Sequence, residues 1–375
     1  MKLCESNPQF YPFHSRRVGT EKKLDFYVSL TINRCHLESL CELWGDENGN
    51  DDFPFHHAIV SPLFARNGIL SALRRQRRRC RVILDSGGFH VQQGRIELRS
   101  ASRLLRRAYA LHSWADRFAL PDSPLTSMDS RETANRKLSS TRRQYRIFPA
   151  AFPNAFRRKL LPVVHGTTRE QICRNALAAR RVGSQTLGFG GFSTSGPNSG
   201  VNSCTQYSLR LLAQFTAVCA DWKMGAHVFG IGGPSAVVVL HFARVKSFDS
   251  AGWIRTAAYG NVYLPYVGAL NVTGAAASRR FVTLREFNKL REATGHMCPF
   301  CRDSALLVRS WRHRALHNYC TIDQLVYSLK KTHAVHALRR LYTFNRRFAS
   351  YLELILREQS TSEQNPASQE IAVGL

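Results

Sequence analysis

Val82-Ile83-Leu84-Asp85-Ser86-Gly87-Gly88-Phe89 decides the fold: an apolar run stops abruptly at a carboxylate and a Ser-Gly-Gly turn. A buried parallel strand delivers an acid to the rim of an active site in this way. The pattern recurs at Phe118-Ala119-Leu120-Pro121-Asp122, Pro162-Val163-Val164-His165-Gly166, Thr186-Leu187-Gly188-Phe189-Gly190-Gly191 and Val245-Lys246-Ser247-Phe248-Asp249-Ser250. Several strands therefore aim chemically able groups at one place.

Around these runs the chain alternates short apolar segments with longer amphipathic ones, the βαβα rhythm of a parallel sheet. Strands are expected at 26–32, 58–64, 81–86, 117–122, 161–166, 186–191, 226–231 and 245–250, and helices at 98–113, 169–182 and 204–220. Leu104, Leu105, Ala108 and Leu111 illustrate the helical spacing. About eight strands point to an α/β fold of the (β/α)8, TIM-like barrel kind, and a doubly wound open sheet fits the same rhythm. The Ser/Gly/Asn-rich stretch 192–203 reads as a loop over the site or as a surface linker. After residue 262 the rhythm breaks. The expected organisation is a barrel core over 1–262, a zinc-binding insertion over 263–320, a helical segment over 321–358 that completes the barrel, and a disordered polar tail over 359–375.

The chain has 53 Lys and Arg against 26 Asp and Glu, a formal charge of +27, with runs such as Arg74-Arg75-Gln76-Arg77-Arg78-Arg79 and Arg142-Arg143. Such an excess suits a polyanion, and nucleic acid is the natural partner because neutralising its phosphates releases counterions. A merely basic surface and contact with anionic membranes are the blander readings. Ten cysteines at irregular spacing and the lack of an apolar leader suggest a reducing, cytoplasmic setting rather than a disulfide framework. No stretch approaches the roughly 18 to 20 apolar residues that span a bilayer.

Asp85, Asp122 and Asp249 each sit at or beside a strand's C-terminal end, so in a barrel all three share one rim. A strand-end aspartate is by itself more often a turn former or helix cap than a catalyst, but three that converge reverse that balance. Two carboxylates across an anomeric carbon suit a glycosidic bond, one attacking C1′ while the other manages the leaving group's proton. On a basic protein the sugar would be that of a nucleic acid. Gly188, Gly190 and Gly191, with Gly230, Gly232 and Gly233 before Pro234, allow close backbone approach to a planar ligand or serve as tight turns, and neither run is a dinucleotide fingerprint. His296-Met297-Cys298-Pro299-Phe300-Cys301 followed by His317 has the spacing of a closed, structural zinc site. Cys298, Cys301 and His317 lead that set, His296 or Cys320 could complete it, and a redox pair is the alternative.

Over roughly residues 80 to 320 these motifs, taken in order, resemble the tRNA-guanine transglycosylase superfamily, which exchanges guanine in nucleic acid for a 7-deazaguanine on a zinc-bearing (β/α)8 barrel. Asp85-Ser86-Gly87-Gly88-Phe89 looks like the family's acid/base motif. Asp122 matches its base-recognising aspartate, Gly190-Gly191 its backbone contacts, and Phe248-Asp249-Ser250 the segment of its nucleophile, with Gly230-Ile231-Gly232-Gly233-Pro234 before it. The resemblance implies Asp249 and Asp85 as catalytic. It implies Asp122, Ser86, Gly87, Phe89, His90, His165, Gly190 and Gly191 as substrate-binding, and His296, Cys298, Cys301 and His317 as ligands of a structural Zn2+.

The chain departs from that pattern at His90, where the family has Gln, at His165-Gly166-Thr167, where it has Gln-Gly-Gly, and at the zinc, where His296 stands in a set that usually has three cysteines. Together with the basic surface, these departures look more like the DNA-acting (DpdA-type) branch. The expected partners are then DNA, a free 7-deazaguanine base such as preQ0, and a protein that opens the duplex, all in the cytoplasm or in a host's cytoplasm. The alternatives are a tRNA-acting transglycosylase and a nucleic-acid-binding protein without catalysis. A glycosylase or nuclease ranks below both.

Overall fold

Each of the eight expected apolar runs forms a strand in the computed structural model, which describes residues 24–49, 52–65, 68–192, 204–275 and 280–364. The strands are β1 Asp25–Ser29, β2 His57–Val60, β3 Arg81–Leu84, β4 Arg117–Ala119, β5 Leu160–Leu161, β6 Val163–Val164, β7 Thr186–Phe189, β8 Gly225–Val228 and β9 Ser247–Ser250. All pair in parallel, in the order β5-β4-β3-β2-β1-β9-β8-β7-β6. The two ends of that order are halves of one stretch, divided at Pro162, which has no N–H to give to a ladder. Its carbonyl still accepts from Gly188 N at 2.8 Å. Because β5 pairs with β4 while β6 pairs with β7, segment 160–164 joins the ends, and eight strands close a TIM-like barrel.

The two-residue period of a strand then sorts the side chains. Tyr27, Ile59, Ile83 and Leu161 meet inside the barrel with Phe229 against them. Val28, Val60, Val82, Leu84, Phe118, Leu187 and Phe248 face outward into the larger core under the helices. Leu84 faces out, so the next residue, Asp85, is on the inward side at the mouth. Asp249 follows outward-facing Phe248 in the same way.

The helices between strands bury one stripe each. Leu98–Leu111 buries Ala101, Leu105 and Tyr109, and ends two residues before the expected 113. Arg169–Arg180 and Gln206–Asp221 start at Thr168 and Thr205, whose hydroxyls accept from the backbone N–H of Gln171 and Ser208. Two buried tyrosines fasten strand ends from outside. Tyr109 Oη donates to Ala119 O at 2.6 Å and Tyr145 Oη to Val163 O at 2.7 Å.

Beyond the barrel an antiparallel hairpin, β10 Asn261–Leu264 with β11 Gly268–Asn271, precedes the helices Leu284–Thr294, Ser304–Arg309, Trp311–Leu329, Ala334–Phe344 and Arg346–Gln364. The helical segment expected over 321–358 is carried by the end of helix Trp311–Leu329 and by the two helices after it, with breaks at 330–333 and at Asn345. Helix Trp311–Leu329 runs through the expected 320/321 division, so no chain break separates insertion from C-terminal segment. Helix Arg346–Gln364 continues past residue 358 into the expected tail, docking Gln359 Nε2 on Phe242 O at 2.8 Å. Positions 365–375 and 193–203, including most of the loop expected at 192–203, lie outside the described residues. Among the described residues no helix is long and apolar enough to cross a membrane.

Candidate active site and metal centre

The rim assembles from strand ends. Asp85 follows β3, its backbone N–H donating to Val60 O at 2.9 Å and its Oδ2 accepting from Gly87 N at 3.1 Å. Gly87 adopts a left-handed φ of 72°, which a side chain would strain. The turn it makes points Ser86 Oγ at Asp122 Oδ1, 2.8 Å away. Gly88 starts the short helix Gly88–Gln92 so close to Asp122 that a Cβ would stand 2.6 Å from Oδ1.

Asp122 is buried and its other oxygen meets His165 Nε2 at 2.7 Å. The opposite ring nitrogen, Nδ1, lies 2.8 Å from Gly190 O, which can only accept, so Nδ1 carries a hydrogen. The Nε2 side of the ring is thereby turned onto the Asp122 carboxylate. Gly190 is glycine because a Cβ there would be 2.2 Å from His165 Cε1. Asn175 Nδ2 holds the His165 carbonyl at 2.7 Å. Ser86, Asp122, His165 and Gly190 thus form one connected hydrogen-bonded unit.

Asp249 on β9, also buried, is anchored from beyond the end of β8, where Gly230 N donates to its Oδ1 at 3.1 Å. His227 on β8 was not singled out by the sequence reading, yet its Nε2 lies 3.4 Å from the same oxygen. That distance does not complete a hydrogen bond, and Nε2 is buried without a partner. Burial lowers the His227 pKa, so its imidazole is neutral at pH 7, and its Nδ1 meets Ser247 Oγ at 2.8 Å. With the serine hydroxyl donating to Nδ1, the Nε2–H faces Asp249.

Burial, then the negative charges of Asp249 and Asp122, push the Asp85 carboxyl up to about 7. The three aspartates are therefore in electrostatic contact at one mouth. One holds a proton near neutrality while its neighbours are fixed by N–H, hydroxyl and imidazole groups. Such a pair of carboxyl environments separates an acid from a nucleophile.

The remaining rim residues stand beside this group. Phe89 and Phe64 are each 38% exposed, enough area to receive a flat ring. His90 stacks on Phe64 with centroids 3.5 Å apart and has Arg95 as its polar neighbour, so it contacts none of the three aspartates. Gly191 lies close over Phe189, 2.5 Å from where its Cβ would be. The aromatic Phe64 was not anticipated, since nothing in its own segment marks it.

Behind the barrel, His296, Cys298, Cys301 and His317 bring their donor atoms within 4.8 Å of one another, all buried. Cys298 Sγ is 3.5 Å from Cys301 Sγ and 3.4 Å from His317 Nδ1. His317 Nε2 donates to Tyr263 O at 2.8 Å, which turns the lone pair of Nδ1 toward the thiols. His296 repeats the arrangement, its Nε2 3.3 Å from Thr321 Oγ1 and its Nδ1 buried with no partner. Burial pushes the Cys298 thiol well above its ordinary range, so a thiolate there needs a cation. Two soft sulfurs and two oriented imidazole nitrogens could hold a metal ion. Cys320, the rival fourth ligand, interacts with Cys298 but lies outside this group of four.

No model of a known protein family matches the chain, and no curated protein matches it either.

Proposed function

We propose that the chain is a guanine transglycosylase acting on DNA, exchanging a guanine for a free 7-deazaguanine by double displacement. The observation that carries this reading is the Asp85 carboxyl, raised to about 7, at the same mouth as the anchored Asp249. The likeness of the ordered motifs to the transglycosylase superfamily supports it.

In this mechanism an Asp249 oxygen bonds to C1′ as the bond from C1′ to N9 breaks, and the departing guanine takes the Asp85 proton at N9. The incoming base then returns a proton to Asp85, its N9 bonds to C1′, and the Asp249 ester breaks. Asp85 begins and ends protonated. Asp122, held by Ser86 and His165, meets the hydrogen-bonding edge of the base. Phe89 and Phe64 offer stacking area. The metal is zinc in this reading, held by His296, Cys298, Cys301 and His317. Four protein donors close the site, so its contribution is to folding rather than to the exchange.

Incubating the protein with labelled guanine and either duplex DNA or tRNA tests the proposal. Label should enter DNA, and Asp249→Ala should abolish incorporation while leaving DNA affinity within about 0.5 kcal/mol. Incorporation into tRNA alone would assign the tRNA reaction. Retained exchange in Asp249→Ala, or release of free base without incorporation, would overturn the double displacement.

A further inference from the structure

Positive charge is not spread evenly along the chain. Residues 68–182 hold 25 Lys and Arg against 7 Asp and Glu, about two-thirds of the net charge in about a third of the length. Within this stretch Arg142, Arg143, Arg146, Arg157 and Arg181 line one concavity of about 740 Å3. No Asp or Glu lines it, and among the described residues none of the five is in an ion pair. Arg142 Nη1 bonds only the neutral Asn175 Oδ1, at 3.0 Å, and Arg157 Nε is buried with no hydrogen-bond partner. Five guanidinium groups gathered without a counter-charge repel one another until an anion enters.

Topology separates this groove from the rim. Arg142, Arg143 and Arg146 lie in the last turns of helix Arg131–Ile147, Arg157 ends helix Asn154–Arg157 just before β5, and Arg181 caps helix Arg169–Arg180 ahead of β7. These positions lead into strand N termini, whereas Asp85, Asp122 and Asp249 sit at or beyond strand C termini. The separation is graded: Arg142 at the near end bonds Asn175, which also holds the His165 carbonyl at the rim, whereas Arg146, Arg157 and Arg181 lie farther off, toward strand N termini. The charge also continues sideways along the same end of the barrel. Arg74 and Arg75 finish helix Ile69–Arg75 before β3, Arg77 and Arg78 follow them, with Arg79 paired to Asp52, and Arg106 reaches the Ile147 carbonyl beside the groove at 2.9 Å. An arc of this length fits an elongated polyanion better than a compact one.

We infer that the groove is a second phosphate site that takes the backbone of the duplex flanking the target nucleotide, an inference that rests on the nucleic-acid reading above. A duplex engaged at the rim would run its flank along this groove, from Arg142 past Arg146 toward Arg157 and Arg181. Arginine suits the task because its planar fork grips phosphate oxygens without reading bases.

The test uses the full chain with Arg143, Arg146 and Arg181 all changed to Gln; these side chains are exposed, so melting should match the wild type. Binding to DNA duplexes of about 8, 16 and 24 base pairs is followed by fluorescence anisotropy across a salt series. Wild-type affinity should rise with length, the variant should lose that rise, and its plot of log K against log salt should flatten by about 2 to 3 units on long duplexes. Unchanged slope and length dependence would overturn the inference. Equal weakening on every length would also do so, by putting the arginines at the rim. So would displacement of the long duplex by inorganic triphosphate at equal affinity, which would make the groove a site for a compact anion. If labelled guanine is never incorporated but the length dependence is lost in the variant, the exchange reading fails and this site stands.

Discussion

Asp85 weakens the fold in exchange for its proton. An unfolded aspartate ionises near 4, whereas burial and the charges of Asp249 and Asp122 bring this one to about 7 in the folded chain. Between those values the native state binds a proton that the unfolded state has lost, so stability falls as pH rises. What Asp85 contributes is fully present below about pH 4 and is lost as pH passes 7. Asp85→Asn removes that dependence. Its unfolding free energy should exceed the wild type's by a margin that grows from pH 4 to 7 and then levels, at most on the order of 4 kcal/mol. Paired thermal melts at pH 5 and pH 8 read this directly, and a margin equal at both would contradict burial as the cause. The same variant should lose base exchange, because an amide cannot deliver the proton that the leaving guanine needs.

At the scale of elements, the strands were legible because a parallel barrel buries both faces of each, leaving runs such as Val82-Ile83-Leu84 that water-facing segments cannot imitate. The expected ends overshoot, 81–86 against Arg81–Leu84, because the ladder stops where the functional turn starts. The breaks between the C-terminal helices were not legible, because 330–333 holds no Gly or Pro to mark one. His227 stayed hidden because a lone histidine in an apolar strand looks like core. Only pairing of β8 with β9, which sets His227 beside Ser247, brings it to Asp249. His90, expected among the substrate-binding residues, is carried by helix Gly88–Gln92 onto Phe64, a contact its own segment does not announce. The glycine turns are the elements whose geometry is most exacting. Gly190→Ala would put Cβ 2.2 Å from His165 Cε1 and force the ring off Asp122. Overpacking of this kind costs about 1–3 kcal/mol, so the fold should survive while KM for the incoming base rises at least about tenfold. An unchanged KM in the folded variant would remove His165 from base recognition.

For the whole molecule the question is whether the metal centre is a separate unit, as the expected boundaries at 263 and 320 implied. Helix Trp311–Leu329 argues against it, because His317 shares that helix with residues that grip the barrel. Asn318 Nδ2 bonds Trp253 O at 3.0 Å and Arg314 Nε bonds Ala257 O at 2.7 Å, both on the helix Gly252–Ala258 that follows β9. Tyr319 packs on Phe26 of β1, which stacks on Phe248 of β9, the strand of Asp249. A metal at the four donors would therefore stabilise helix and barrel together, and binding free energy would appear as folding free energy. Chelation, or Cys301→Ser, should lower the temperature of a single cooperative unfolding transition by well over 5 °C, with metal analysis of the untreated protein giving about one ion per chain. Calorimetry with tryptophan fluorescence discriminates the alternatives, since Trp253 is fully buried between barrel and helix. If chelation split the transition in two and left the barrel's melting where it was, the metal centre would be an independent appendage. Base exchange would then survive demetallation, whereas one cooperative unit loses both together.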